Sequence, residues 1–237
     1  MTFIEVLAAK GTAAGFAFTA QQLFQFNRYY ELLIETNKVM NLTAITEPEE
    51  VAVKHIIDSL LAYDEQVFPG KLLADIGTGA GFPGLPLKIY CPQLRVVLID
   101  SLAKRLRFLE QVISELGLEG ITCVHLRAEE AGQNKNHREK YDLVTARAVA
   151  RLAVLAEYCL PLVKKGGYFI ALKGSKYEQE IVAGRSAIAT LGGELVTAEP
   201  VKLPGLDDGR AIIKIKKIKL TSSQYPRKAG LPEKQPL

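Results

Sequence analysis

Apolar residues along the chain fall into two regimes, a helical one up to about residue 65 and an alternating one after it. Between residues 19 and 37, Leu23, Phe26, Tyr30, Leu33 and Ile34 recur at the spacing of one helix face, and Thr19 with Gln22 forms a capping box that starts the helix. Asn37 to Thr46 interrupts the pattern. It resumes over 48–65, where Val51, Ile56, Leu60 and Leu61 share a packing face and His55 and Asp58 stand three apart. From Lys71 onward, short apolar runs at 71–76, 95–99, 121–126, 141–146 and 167–173 predict strands. The stretches 84–90, 102–117 and 151–162 predict the helices that cross between parallel strands. A helix over 177–191 follows, then strands at 194–201 and 210–218 around Pro204, Gly205, Asp207, Asp208 and Gly209, which read as a long-looped antiparallel hairpin.

These elements define an α/β chain with a Rossmann-like, mostly parallel seven-stranded sheet and an N-terminal helical cap. The expected partition is a cap over 1–68, the sheet domain over 69–220 and a basic tail over 221–237. The tail carries Pro226, Pro232 and Pro236 with little apolar periodicity and is expected to be extended or loop-like.

Composition narrows the class. At 237 residues, 48% hydrophobic and 24% charged, the chain matches neither a disordered nor a membrane protein, and no apolar run reaches the roughly 18 residues of a membrane span. Met1 to Lys10 lacks the pattern of an export signal, so a cytoplasmic location is expected. Cys91, Cys123 and Cys159 are too far apart for a local zinc motif and read as core thiols of a reducing compartment; the three histidines form no cluster, and no metal site is expected. The net charge of +4 is modest, yet its cations gather at Lys104, Arg105 and Arg107, at Lys214, Lys216, Lys217 and Lys219, and at Arg227 and Lys228. Those clusters are either a footprint for a phosphate backbone or ordinary solvated faces.

The candidate chemistry begins at Leu72–Gly84, an apolar strand that runs into a loop containing Gly77, Gly79, Gly81 and Gly84. Glycines so dense let backbone approach a ligand without Cβ atoms in the way. Asp75, two residues before the loop, can organise it or address an amino group on the ligand; a pyrophosphate there would be repelled. Asp100 ends the second strand 21 residues after Gly79, where a carboxylate can accept both hydroxyls of a ribose, and Ala128 and Glu129 after the third strand can border an adenine. That arrangement suits NAD and S-adenosylmethionine alike. The closing antiparallel hairpin favours the methyl donor, while a nicotinamide oxidoreductase and a non-catalytic RNA-binding protein stay as alternatives.

The chain resembles the bacterial 16S rRNA guanine-N7 methyltransferase family, also called glucose-inhibited division protein B. The matching segments are Asn41–Thr43, His55–Leu60, Asp75–Gly84, Asp100–Ser101, Arg127–Glu129, Ala146–Ala148, Lys173–Gly174 and Tyr225–Gly230, which span nearly the whole length. The resemblance implies a Rossmann-like methyltransferase fold, S-adenosylmethionine as cofactor, and a guanine in the 530 loop of 16S ribosomal RNA as acceptor. It places cofactor contacts at Gly77, Phe82, Asp100, Ala128, Glu129 and Arg147; Asp75, Gly79, Gly81 and Ser101 join them as loop and strand-end candidates. Leu231, Glu233 and Gln235 depart from the threonine, serine and lysine that members often carry.

Read as chemistry, the end of the fourth strand, Tyr141–Ala148, lacks the Asn-Pro-Pro-Tyr clamp used on exocyclic amines, and no cysteine sits in a loop after a strand end. A ring nitrogen with an in-plane lone pair suits what remains, and no catalytic acid or base is expected. Arg147, Lys173, Asn41 and His55 are the positioning candidates, with Asp58 beside His55. Phe82 is either a cofactor wall or a packing residue beneath the loop. Arg105, Arg107, Lys216, Lys217, Arg227 and Lys228 are the expected RNA contacts. The RNA is free or part of a small-subunit assembly state, with no membrane or DNA partner, and the protein is expected to be a monomer.

Overall fold

In the computed structural model, which describes residues 1–237, the strands are β1 (Leu72–Ile76), β2 (Arg95–Asp100), β3 (Ile121–His125), β4 (Tyr141–Arg147), β5 (Val163–Gly174), β6 (Gly193–Val201) and β7 (Arg210–Lys217). They form one sheet in the order β3-β2-β1-β4-β5-β7-β6, with β7 antiparallel to both of its neighbours and the other pairs parallel. Strands are added outward in opposite directions from β1 and β4, and a crevice opens beyond the carboxyl ends of this pair. The register sets Asp75 of β1 beside Thr145 of β4.

Alternate side chains of each strand leave the sheet on opposite faces. Leu73, Val96, Leu98, Leu143 and Ile170 enter a core shared with α1 (Phe3–Ala13), α2 (Ala20–Asn37), α5 (Gly84–Tyr90) and α6 (Ala103–Glu115). Ala74, Val144, Ala146, Phe169 and Ala171 enter the other, with α7 (Ala128–Gln133), α8 (Leu152–Cys159) and α9 (Tyr177–Thr190). The cap helices therefore have no core of their own: Phe26, Leu33, Ile56 and Leu60 pack in the cluster that holds Leu85 and Leu109. No helix is long and apolar enough to cross a membrane.

The capping box at Thr19 forms as its spacing predicts, with Gln22 N–H donating to Thr19 Oγ1 at 3.2 Å and Thr19 N–H to Gln22 Oε1 at 2.9 Å. Periodicity gives no sign of α1, because Ala8, Ala9, Gly11 and Ala13 dilute its apolar face; its own capping box, Thr2 with Glu5, was the available signal. The helix expected over 48–65 is α3 (Pro48–Val51), a π-helical turn (Ala52–Ile57) and α4 (Asp58–Leu60), and it stops five residues early. Strand β5 begins at Val163 rather than 167, past a register shift opposite Tyr141 and Leu143. Helix α7 is six residues long, too short for apolar periodicity to announce; Glu129 and Glu130 in its first turn are the acidic helix start that the sequence offers as the alternative to a ligand contact.

The tail is irregular apart from α10 (Leu231–Lys234), but it is strapped to the domain rather than loose. Arg138 donates to the carbonyls of Tyr225 and Thr221, each at 2.7 Å, and Gln133 donates to that of Pro226 at 2.8 Å. Arg227 forks onto the carboxylate of Glu157 at 2.6 and 2.9 Å, and Glu129 Oε1 accepts from Gly230 N–H at 2.9 Å.

Candidate functional site

Asp75 builds the loop from below. Its side chain is fully buried; Oδ2 accepts from Thr78 Oγ1 at 2.6 Å and Gly84 N–H at 3.0 Å, and Oδ1 accepts from Thr145 Oγ1 at 3.2 Å. Burial raises its pKa to about 6, and those three donors hold it from rising further. Gly84 has to lack a side chain here, because a Cβ would lie 2.9 Å from Asp75 Oδ2 and 2.5 Å from Leu98. Of the two roles open to Asp75 from sequence, the structure gives it the first, since every acceptor contact goes to the loop and to Thr145.

Above the loop lies a cleft of about 180 Å³ at the carboxyl ends of β1, β2 and β3. It brings together Gly77, Asp100, Ser101, Ala128 and Glu129 from the sequence candidates, and it adds Arg127, Val149, Ala150, Tyr158 and Glu233. Gly77 is in the left-handed region at φ +66°, and a Cβ on it would stand 2.7 Å from Val149 Cγ2, so any side chain would close the floor. Asp100 is anchored by Gly79 N–H and Leu102 N–H, both at 2.9 Å, with Arg105 at 3.5 Å. A carboxylate offers about four lone-pair sites, which leaves acceptor capacity for a ligand hydroxyl. Apolar walls from Ile76, Ile99 and Leu126 beside these polar groups fit an adenosine-type cofactor.

Five sequence candidates stand outside this cleft, Gly79 among them, its N–H spent on Asp100. Asp75 is beneath the loop, and Gly81 is packed against Leu85 and the Tyr29 hydroxyl. Phe82 is buried, its ring stacked on His55 at 4.4 Å with the Arg147 guanidinium 4.9 Å from its centroid, which makes it a packing residue between loop and cap. Arg147 belongs to a second, adjoining cleft of about 350 Å³, lined by Ile45, His55, Asp58, Ala148, Lys173 and Arg210 among others.

The second cleft is organised around Asp58. Its two oxygens take Arg147 at 2.7 Å and Arg210 at 2.8 Å. Arg147 also donates to the Lys54 carbonyl at 2.9 Å, an acceptor in the π-helical turn, and contacts His55 Nδ1 at 3.2 Å. A guanidinium has only donors, so toward Arg147 Nδ1 accepts and the ring proton sits on Nε2, which donates to Thr43 Oγ1 at 2.8 Å; the Lys54 carbonyl, also 3.2 Å from Nδ1, is served by Arg147 instead. Burial, then the charge of Arg147, lowers His55 to about 3 and keeps it neutral. Asn41 is exposed; the turn around it is held instead by Asn37, whose Oδ1 accepts from the N–H groups of Leu42 and Thr43 at 2.8 and 3.0 Å. Lys173 is nearly buried and committed to Glu180 at 2.7 Å and the Ala150 carbonyl at 2.9 Å, so its expected availability to a phosphate is corrected.

Two of the expected RNA contacts are also corrected. Lys217 is wholly buried and donates to the Leu160 carbonyl at 2.5 Å, because β7 is an interior strand and this position faces the core. Arg227 is spent on Glu157, a carboxylate with no exposed surface. Arg107, Lys216 and Lys228 are exposed, without ion-pair partners, and Arg105 is partly exposed beside Asp100. The residues that sequence missed were masked by ordinary settings: Tyr29, whose hydroxyl donates to the Ala80 carbonyl, reads as one more apolar helix position, and Glu157 as one more helix charge.

A parallel sheet completed by one reversed strand, with a glycine-floored adenosine cleft at its switch point, defines the S-adenosylmethionine-dependent methyltransferases. Solved structures share this fold with the chain: TYW2 of P. horikoshii in complex with MeSAdo (TM-score 0.53, 14% identity, 68% of this chain and 61% of that one) and the 16S rRNA (adenine(1408)-N(1))-methyltransferase of Catenulisporales acidiphilia (TM-score 0.53, 15%, 68% and 90%). The family model for GidB, rRNA small subunit methyltransferase G, matches residues 22–205. Proteins named ribosomal RNA small subunit methyltransferase G are 50% identical in Lactobacillus johnsonii (98% of this chain, 99% of the relative) and 53% in Desulforamulus reducens (94% and 93%). The chain belongs to the rRNA small subunit methyltransferase G family.

Proposed function

We propose that this protein transfers a methyl group from S-adenosylmethionine to N7 of a guanine in the 530 loop of 16S ribosomal RNA. The observation that carries the reading is the pairing of two adjoining clefts, one suited to an adenosine and one walled by Asp58, Arg147 and Arg210. When bound, the cofactor supplies a methyl group on a positively charged sulfur. Guanine N7 has an in-plane lone pair and no proton to lose, so the chain needs no general base, in keeping with a His55 tied to Thr43 and Arg147. The work left to these residues is to hold the base with its reacting atom about 3–3.5 Å from the methyl carbon and to exclude water. Gly77, Asp100, Ser101, Ala128 and Glu129 hold the cofactor; Asp75, Gly79, Gly81 and Phe82 shape the loop; Arg147 and His55 position the acceptor. Arg107, Lys216 and Lys228, with Arg105, contact phosphates. The protein acts as a cytoplasmic monomer, with residues 1–68 as the cap, 69–220 as the catalytic domain and 221–237 as the strap, on RNA free or within a small-subunit assembly state.

The test is mass-spectrometric mapping of 7-methylguanine in small-subunit RNA from cells with and without the protein. The modification is expected in the 530 loop only when the protein is present, and to be lost with Asp100→Ala. Its persistence in the deleted strain would overturn the assignment.

A further inference from the structure

The chain buries three tyrosines, Tyr29, Tyr141 and Tyr158. Two of them satisfy their hydroxyls: Tyr29 on the Ala80 carbonyl, and Tyr141 on His137 Nδ1 at 2.6 Å. Tyr158 makes no hydrogen bond, although it is only 8% exposed and sits in α8, where Glu157 before it is bound to the tail and Cys159 after it is in the core. No side-chain oxygen that lacks a partner is fully shut off from solvent, so the Tyr158 hydroxyl keeps an open edge through which a ligand can reach it. What Tyr158 does line is the adenosine cleft, together with Leu126, Ala128, Glu129 and Glu233 on the side of β3. Asp100, at the end of β2, marks the ribose end of that cleft, so the base lies on the β3 side with Tyr158.

We propose that Tyr158 is an adenine-recognition residue, its unpartnered hydroxyl making a hydrogen bond to the base of the bound cofactor. The inference rests on the methyl-donor reading of this cleft and extends it to a residue of α8. Burial first, and then the nearby carboxylates of Glu129 and Glu233, push the phenol up to about 12, so it is protonated and able to donate throughout the neutral range. Its position is fixed from behind: Arg227 grips Glu157, one residue away, and Gly230 N–H grips Glu129 across the cleft, so the strap holds both walls that face the base. No strand-end motif announces such a residue; only the missing hydrogen bond does.

The test is calorimetric binding of S-adenosylhomocysteine to the full chain and to Tyr158→Phe, repeated with the 1-deaza, 3-deaza, 7-deaza and inosine analogues of that ligand. Tyr158→Phe keeps the ring and so the packing, and its ligand-free melting temperature is expected to match the unaltered protein. Its affinity for S-adenosylhomocysteine is expected to fall about fivefold, the size of one hydrogen bond. One analogue is expected to cost the unaltered protein a similar factor and to cost Tyr158→Phe nothing, which identifies the atom bonded. If all analogues lose equally in both proteins, or if Tyr158→Phe binds the parent ligand as tightly as the unaltered chain, the role is refuted while the cofactor cleft stands. If the unaltered protein binds no S-adenosylhomocysteine, the methyl-donor reading falls, and the role of Tyr158 with it.

Discussion

His55 and Asp75 carry the least ordinary protonation in the molecule, and each is explained by what touches it. The folded ring of His55 titrates at about 3, against 6.5 for a free one, so between those values the unfolded chain takes up a proton that the folded chain refuses. Stability from this group is therefore lost as pH falls from about 6.5 towards 3. Asp75, raised to about 6, works the other way, since between about 6 and 3.8 the folded state holds the proton more readily and a falling pH favours it. At pH 5, nitrogen NMR is expected to show a neutral His55 ring protonated on Nε2; a midpoint near 6.5 would contradict the Arg147 contact. Asp75→Asn keeps an acceptor for Thr78 and Gly84 and turns an amide to the Thr145 hydroxyl, so it is expected to fold. Asp75→Ala leaves three buried donors unpaired and is expected to lose about 3 kcal/mol or more in urea unfolding. At this scale the sequence was half legible. Asp75 and Asp100 declare themselves by standing at strand ends, whereas Arg147 discloses only its strand end and not its partners, because Asp58 and Arg210 arrive from elements 89 and 63 residues away.

Among the elements, the strap and the π-helical turn depart most from what periodicity conveys. The strap has no apolar repeat, the π-helical turn sits inside one that reads as ordinary helix, and side chains from elsewhere reach both. The strap depends on Glu157, whose charge is buried and answered by Arg227. Breaking such a pair from one side usually costs about 3–5 kcal/mol, while replacing both partners by apolar groups costs far less. Arg227→Met is accordingly expected to destabilise the protein by about that amount, and Glu157→Leu added to it to restore most of the loss, both read by urea unfolding. Equal stability of Arg227→Met and the unaltered chain would return Arg227 to the pool of RNA contacts. By contrast, six of the seven strands were legible to within a residue at each end, β5 alone starting four residues early, because buried strands are short continuous apolar runs between turn signals. The reversed β7 was legible too, as the second arm of a hairpin.

Over the whole molecule, charge and core are distributed by different rules. Of the clustered cations, Lys104, Arg107, Lys216, Lys219 and Lys228 are exposed without an ion-pair partner, while Lys217 and Arg227 are spent internally. Reversing Arg107 or Lys228 to glutamate is expected to weaken RNA binding and to lower its salt slope by about 1 per contact removed. Lys217→Met is expected to leave that slope unchanged, and a slope that fell would place Lys217 on the RNA surface. Cation counts alone could not make this division, since burial depends on which strands flank β7. The core follows the opposite logic, crossing the boundary that the change of texture near residue 69 suggests. Phe26, Leu33 and Ile56 interlock with Leu85, Leu98 and Leu109 in one cluster, and Tyr29 reaches the loop carbonyl of Ala80. Recombination between relatives is constrained accordingly. A crossover at residue 69 joins two halves of a single jigsaw and fails unless α5 and α6 travel with the amino-terminal helices, whereas one at residue 221 parts mainly polar contacts and leaves that jigsaw whole. The amino-terminal helices thus have to match α5 and α6 in shape, whereas the tail has to match only the polar groups that hold it, Glu129, Gln133, Arg138 and Glu157.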